Sequence, residues 1–309
     1  MSNVNLKSYI YLSSAMFIVG SSIVVGKLMV QSIPVFLASG IRFGIASLLL
    51  FVILYLFEGG IPKLTKKQFL ILFLQSFTGV FLFSICLLYG VQYTSALDSG
   101  VITSITPMVI GLLSYILLKE KMNKSVIIAI LFAVLGILVI NITSEEGTTK
   151  GLLPLWGNFL IFVAVIGESL FTVLGKYLSN KLSPLAISTF VAFFGFILFV
   201  PSSLYEATQF DFSQTTLIDW LYVLYFTIFV TVIAFFLWYS GVSKVSGNIS
   251  GVFTAVIPVS TMFCSYLLLD EQFTLGHVIG MFLVMISTSV ISIRKRPRAD
   301  ISLLGRNKE

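Results

Sequence analysis

Lys27, Arg42, Asp98, Glu168 and Lys176 stand in, or at the ends of, stretches that are otherwise apolar. In a bilayer-spanning stretch a mid-depth charge costs at least ~2.5–3.5 kcal/mol on insertion scales, so it is usually paired or functional. The Arg42 guanidinium has the planar fork that holds a carboxylate or a phosphate through two parallel hydrogen bonds. Its bland alternative is a static structural pair, and that of Lys27 and Lys176 is snorkelling to the headgroups. By position, Lys27, Arg42 and Asp98 share one half of the membrane depth, and Glu168 and Lys176 share the other. We expect two clusters, Lys27–Arg42–Asp98 and Glu168–Lys176, each paired and opened in turn, with Lys244 within reach of the second. Gln75, Thr103, Thr227 and Thr254 are neutral polar groups in apolar surroundings. An unsatisfied polar group in lipid costs several kcal/mol, so these residues must face protein or water. They are candidates for a cavity lining, with interhelical glue as the alternative.

Other chemistry lacks its residues. Hydrolysis or group transfer needs a paired nucleophile and base, or a metal cluster. The chain has one histidine, His277, and two cysteines, Cys86 and Cys264, lying apart in apolar runs. It has no HisGluxxHis and no Walker motif, so ATP is not the direct energy source. No cofactor or metal is expected. His277, near the start of the last apolar stretch, reads as an interfacial residue; proton coupling stays open.

The elements that must hold these residues are helices. The chain of 309 residues is 57% hydrophobic and only 10% charged, against roughly 25% charged in soluble domains. It cannot cover a soluble surface, and it lacks the alternation of a membrane β-barrel. Apolar runs of ~18 or more residues mark spanning helices. Ten are expected: 8–30, 34–57, 68–90, 94–118, 124–142, 155–177, one opening at Pro184, 216–241, 246–269 and 274–293. The first is read as an uncleaved span, since no small-residue cleavage site follows it. Residues 294–309 form a polar, basic tail. Of the 19 Lys and Arg, all but Lys27, Arg42 and Lys150 fall in loops and tails on one side of a ten-span arrangement. That side is expected to be the cytoplasm, with both termini there. The net charge of +6 is thereby an orientation signal, and no nucleic-acid partner is expected. The partners are the lipid bilayer and a small molecule, and a homodimer is open.

The chain also repeats. Residues 90–142 recur without a gap as 241–293, pairing Gly90 with Gly241, Ser99 with Ser250, Thr103 with Thr254, Pro107 with Pro258, Tyr115 with Tyr266 and Glu120 with Glu271. Chance among apolar segments does not align a proline, glycines, a tyrosine and a glutamate in one frame. The domains read as 1–142 and 155–293, joined by a linker at 143–154. Each half has an odd number of spans, so the halves lie in opposite orientations, the inverted repeat of secondary transporters. The all-α fold expected is thus ten transmembrane helices as two inverted five-helix repeats.

Particular residues resemble a family. Arg42-Phe43 after Pro34, the run from Thr94 through Pro107 to Glu120, and its echo from Ser246 through Pro258 to Glu271 resemble the EamA-like type of the drug/metabolite transporter superfamily. The first helix of that family usually carries Trp-Gly, and Val19-Gly20 stands here. The resemblance implies a solute transporter of the cell membrane, for amino acids, other small metabolites or drugs, with export the expected direction. It implies a central cavity lined by spans one to four and six to nine, with five and ten outside, and it brings Gly20 into the substrate pathway.

Three local expectations complete the reading. Pro107 and Pro258 lie mid-span and are expected to kink their helices, as hinge or cavity residues. Ser95-Ala96, Ser99-Gly100, Ser246-Gly247 and Ser250-Gly251 are spaced for close helix packing. Trp220, Tyr222, Trp238 and Tyr239, at the two ends of span eight, are read as interfacial belts.

Overall fold

The computed structural model describes residues 3–93, 102, 103, 105–143, 154–269 and 275–292. Among these the chain is helical, with no strand. In order the helices are α1 (Asn3–Met29), α2 (Val35–Glu58), α3 (Lys66–Ser76), α4 (Phe83–Tyr93), α5 (Thr106–Leu118), α6 (Lys124–Thr143), α7 (Pro154–Leu178), α8 (Pro184–Gln209), α9 (Leu217–Tyr225), α10 (Ala234–Val242), α11 (Gly247–Phe253), α12 (Val256–Leu269) and α13 (Leu275–Ser292). Among the described residues, six stretches are long and apolar enough to cross a membrane: Leu6–Gly26, Val35–Glu58, Lys66–Leu87, Leu155–Leu178, Pro184–Gln209 and Leu217–Val242. Thr106–Leu118, Lys124–Val139 and Val278–Val290 are shorter apolar helices. The chain is a multi-pass membrane protein.

Local chemistry sets the helix ends. Thr65 and Gln68 cap α3 reciprocally, as Thr216 and Asp219 cap α9, each pair satisfying two orphan backbone donors. Ser183 caps α8, whose first residue is Pro184. Pro34 stands at the N-cap of α2, just before the first turn expected for it. Gly59, at φ 73°, closes α2 in the left-handed conformation that costs glycine nothing.

Two features depart from uniform helix. The turns Phe77–Leu82, between α3 and α4, and Phe226–Ile233, between α9 and α10, are π-helical. Each adds a residue without ending its long helix, and such bulges favour functional sites. The second departure concerns the two prolines. Instead of kinking a continuous helix, Pro107 lies in the first turn of α5 and Pro258 in the first turn of α12. The break precedes each of them, with a turn at Ile105 and another at 254–255. Around the second break the hydrogen bonds tighten to i→i−3, from Thr254 N to the Gly251 carbonyl and from Ile257 N to that of Thr254. A proline in a first turn gives up an amide that has no intrahelical partner.

The packing is reciprocal. α6 lies along α13, and α2 along α8. α1 packs on α10 and α12, while α7 packs on α4 and α5. α1 therefore rests on helices late in the chain, and α7 on helices that precede it. The main core runs through Leu12, Phe43, Leu50, Leu72, Phe199, Tyr239 and Phe253. Phe43 stacks on Phe199 at 5.8 Å between ring centroids.

Candidate functional site

Arg42 sits on α2 where the second π-helical turn passes. Its guanidinium carbon is 4.3 Å from the centroid of the Phe43 ring and 5.1 Å from that of Phe226. Gly26 of α1 closes the far side, since a Cβ there would lie 3.3 Å from the Phe226 ring. Arg42 Nε is buried and has no hydrogen-bond partner, and no carboxylate among the described residues forms an ion pair with the side chain. Cation–π contact offsets part of the desolvation, and the fork keeps donors to spare. Asp98 and the Lys27 side chain, expected beside it, lie outside the described residues.

Glu168 sits on α7 against the first π-helical turn. Its neighbour Gly167 contacts the Thr78 carbonyl, and a Cβ there would lie 2.5 Å from that oxygen. The Thr106 hydroxyl, which donates to the Thr103 carbonyl at 2.8 Å, stands beside the Glu168 carboxyl. The acid thus stands where the α5 break meets α7.

The expected Glu168–Lys176 pair is not formed. Two turns further along α7, Lys176 Nζ donates to the carbonyls of Val242 at 3.0 Å and Ser243 at 3.4 Å. The last carbonyls of α10 have no intrahelical donors and attract a cation. The carboxylate acting on Lys176 is that of Glu120, and Lys244 opposes it. Glu120 in turn accepts from the backbone amides of Gly247 at 2.9 Å and Asn248 at 3.3 Å, the first amides of α11. The corner between α10 and α11 is therefore held at both ends, by a cation on closing carbonyls and an anion on opening amides. Glu120 lies more than a hundred residues before the corner it holds. The sequence carried a signal for this role, the matched pair Glu120/Glu271, but it did not say what the carboxylate touches. Glu271 lies outside the described residues.

The small residues beside this corner pack as their spacing predicts. A Cβ on Gly247 would lie 2.6 Å from Ser114 Oγ, and one on Gly251 2.6 Å from Ile110 Cγ2. The corresponding Ser95-Ala96 and Ser99-Gly100 lie outside the described residues. Gly20 likewise lets α1 meet α12: a Cβ would strike the Ile257 carbonyl and lie 2.6 Å from Ser260 Cβ, and the Gly20 carbonyl accepts from Thr261 Oγ1 at 2.9 Å.

The neutral polar residues divide. Gln75 is fully buried and bridges three helices, its Nε2 donating to the Phe171 carbonyl at 2.8 Å and to Tyr239 Oη at 2.9 Å. Its Oε1 has no partner. Thr227 and Thr254 donate within their own segments, to the carbonyls of Val223 and Gly251, both at 2.8 Å. Thr103 takes part through its carbonyl in the Thr106 bond. Among the expected belt residues, Trp220 bonds to Thr215 at one end of the long helix. Trp238 and Tyr239 are buried in the core instead. The Gln75 amide gives the Tyr239 hydroxyl a polar partner away from any interface.

A match to the EamA-like transporter family covers residues 6–142 and again 155–293. The chain is 55% identical over 292 residues to an uncharacterized transporter of Bacillus subtilis (strain 168), YetK, spanning 94% of this chain and 88% of that one. It is 25% identical to a second such transporter of that organism, YyaM, over 81% of this chain and 82% of the other. A solved crystal structure with 16% identity superposes with a TM-score of 0.75 over 95% of this chain and 97% of its own, a likeness of fold. With a family match that fills both halves and a relative sharing more than half its residues, the chain belongs to the EamA-like transporter family.

Proposed function

We propose that this protein is a secondary transporter of the cell membrane, moving a small metabolite such as an amino acid, a related compound or a drug, with export the expected direction. It works by alternating access of two inverted halves of five spans each, ten spans in all. The basic end of the bundle, which carries Lys66, Lys67, Lys121, Lys181 and Lys244, faces the cytoplasm together with both termini. The observation that carries this reading is the α10–α11 corner, where Glu120 from one half and Lys176 from the other grip a single turn. Side-chain grips of this kind can be released without unfolding a helix. The reciprocal packing of α1 on α10 and α12, and of α7 on α4 and α5, supports two bodies that rock against each other. Arg42 and Glu168 are the groups proposed to meet solute or proton. Each is an ionisable group set in the protein beside a π-helical turn, without an ion-pair partner among the described residues.

Purified protein screened by thermal shift against a metabolite panel, followed by flux of any hit into proteoliposomes, tests this. Saturable flux with counterflow is expected. Flux that never saturates would indicate a channel, and chemical turnover of the hit an intramembrane enzyme.

A further inference from the structure

One group of charges plays no part in the proposed pathway. Lys67, in the first turn of α3, places its ammonium 5.6 Å from the centroid of the Tyr177 ring on α7. Lys181, just past the end of α7, places its own 4.4 Å from the same ring and is hydrogen-bonded to Tyr177 Oη at 2.9 Å. Two like charges thus converge on one phenol ring, and among the described residues no carboxylate forms an ion pair with either. Lys66 and Lys67 are both exposed, as is Lys181. Directly below, one and two turns along α3 from Lys67, Leu70 and Leu74 are 55% and 40% exposed on a helix long and apolar enough to span a membrane.

We infer that Lys67, Tyr177 and Lys181 form a headgroup site for an anionic phospholipid at the basic end of the bundle. A phosphate ester supplies the negative charge that relieves the two ammoniums, and its non-bridging oxygens accept from both. The Tyr177 hydroxyl, an amphipathic ring at the end of a span, suits the headgroup level. The choice of a lipid over free phosphate rests on the apolar strip beneath. Leu70 and Leu74 continue the site down the helix as a track for an acyl chain, where a soluble anion would find nothing to bind. Basic sites between helices near the membrane surface recognise acidic lipids in this way.

Native mass spectrometry of detergent-released protein, equilibrated with phosphatidylglycerol or phosphatidylcholine, tests the site without knowledge of any transported solute. Wild-type protein is expected to retain phosphatidylglycerol in preference to phosphatidylcholine. Each interfacial lysine is worth roughly fivefold in affinity, so the K67Q/K181Q protein should hold phosphatidylglycerol about thirtyfold more weakly. K121Q/K124Q, which removes as much charge from the same end, should leave retention unchanged. Single variants K67Q and K181Q should fall between, and they keep the test alive should the double variant fold poorly. Equal retention by wild type and K67Q/K181Q, or an equal loss in K121Q/K124Q, would overturn the assignment. Displacement of the bound lipid by inorganic phosphate would show a simple anion site and overturn the choice of a lipid.

Discussion

At the scale of single residues, what matters is which polar groups are satisfied. Gln75 joins α3, α7 and α10 through one amide nitrogen, and Gly175 leaves the space, since a Cβ there would lie 2.8 Å from it. Removing the amide strands a buried tyrosine hydroxyl and a carbonyl, each worth about 1–3 kcal/mol when left unpaired. Gln75→Ala should therefore lower stability by about 2–4 kcal/mol in denaturant melts of the detergent-solubilised protein. Thr227→Val should change it by less than about 1 kcal/mol, because that hydroxyl bonds only within its own helix. Arg42→Gln and Glu168→Gln are expected to abolish or greatly reduce transport at matched expression, with folding retained. Wild-type flux in both would make these charges structural and move the pathway to the neutral residues. Sequence reading found these residues because a charge or an amide in an apolar run is conspicuous. It could not tell Gln75 as glue from Gln75 as cavity lining, since that depends on Phe171 and Tyr239, which are distant in the chain.

Among the elements, the informative ones are those that interrupt the helices. The breaks ahead of Pro107 and Pro258 were legible as positions, because proline removes an amide, but not as helix starts. The π-helical turns were not legible at all. In a helix that is apolar on every side, an added residue shifts no visible pattern. The Glu120 and Lys176 contacts also escaped, since these caps join residues more than 60 apart in sequence. Their expected behaviour is specific. Charge-assisted hydrogen bonds are about twice as strong as neutral ones, so Glu120→Gln should cost the closed corner roughly 1.4 kcal/mol, a tenfold shift toward the open form. Maleimide labelling of a cysteine at Val245, which is buried in the closed corner, should then quicken by a similar factor. An unchanged labelling rate would mean that this carboxylate does not hold the corner. Gly20→Val tests the contact between α1 and α12. It should cost about 1–3 kcal/mol by overpacking, or more if the backbone must part, and show as a lower melting temperature.

At the scale of the whole molecule, the repeat and the charge asymmetry are expectations of the sequence. The EamA-like family matches residues 6–142 and again 155–293. The reciprocal packing had to be seen, because nothing in a hydropathy pattern says that α1 rests on α10 and α12. Sidedness is tested by cysteines at Lys66 and Thr149 in intact cells, with labelling from outside expected at Thr149 alone. The central claim is that the bundle opens at one end as it closes at the other. Spin-label pairs measure this most directly, one at Lys121 and Lys244 across the basic end, the other at Gln31 and Leu155 across the opposite end. On adding a transported solute, the account predicts that the two distances shift in opposite directions between two discrete values. Distances that stay fixed at both ends during saturable flux, or that lengthen and shorten together, would contradict it.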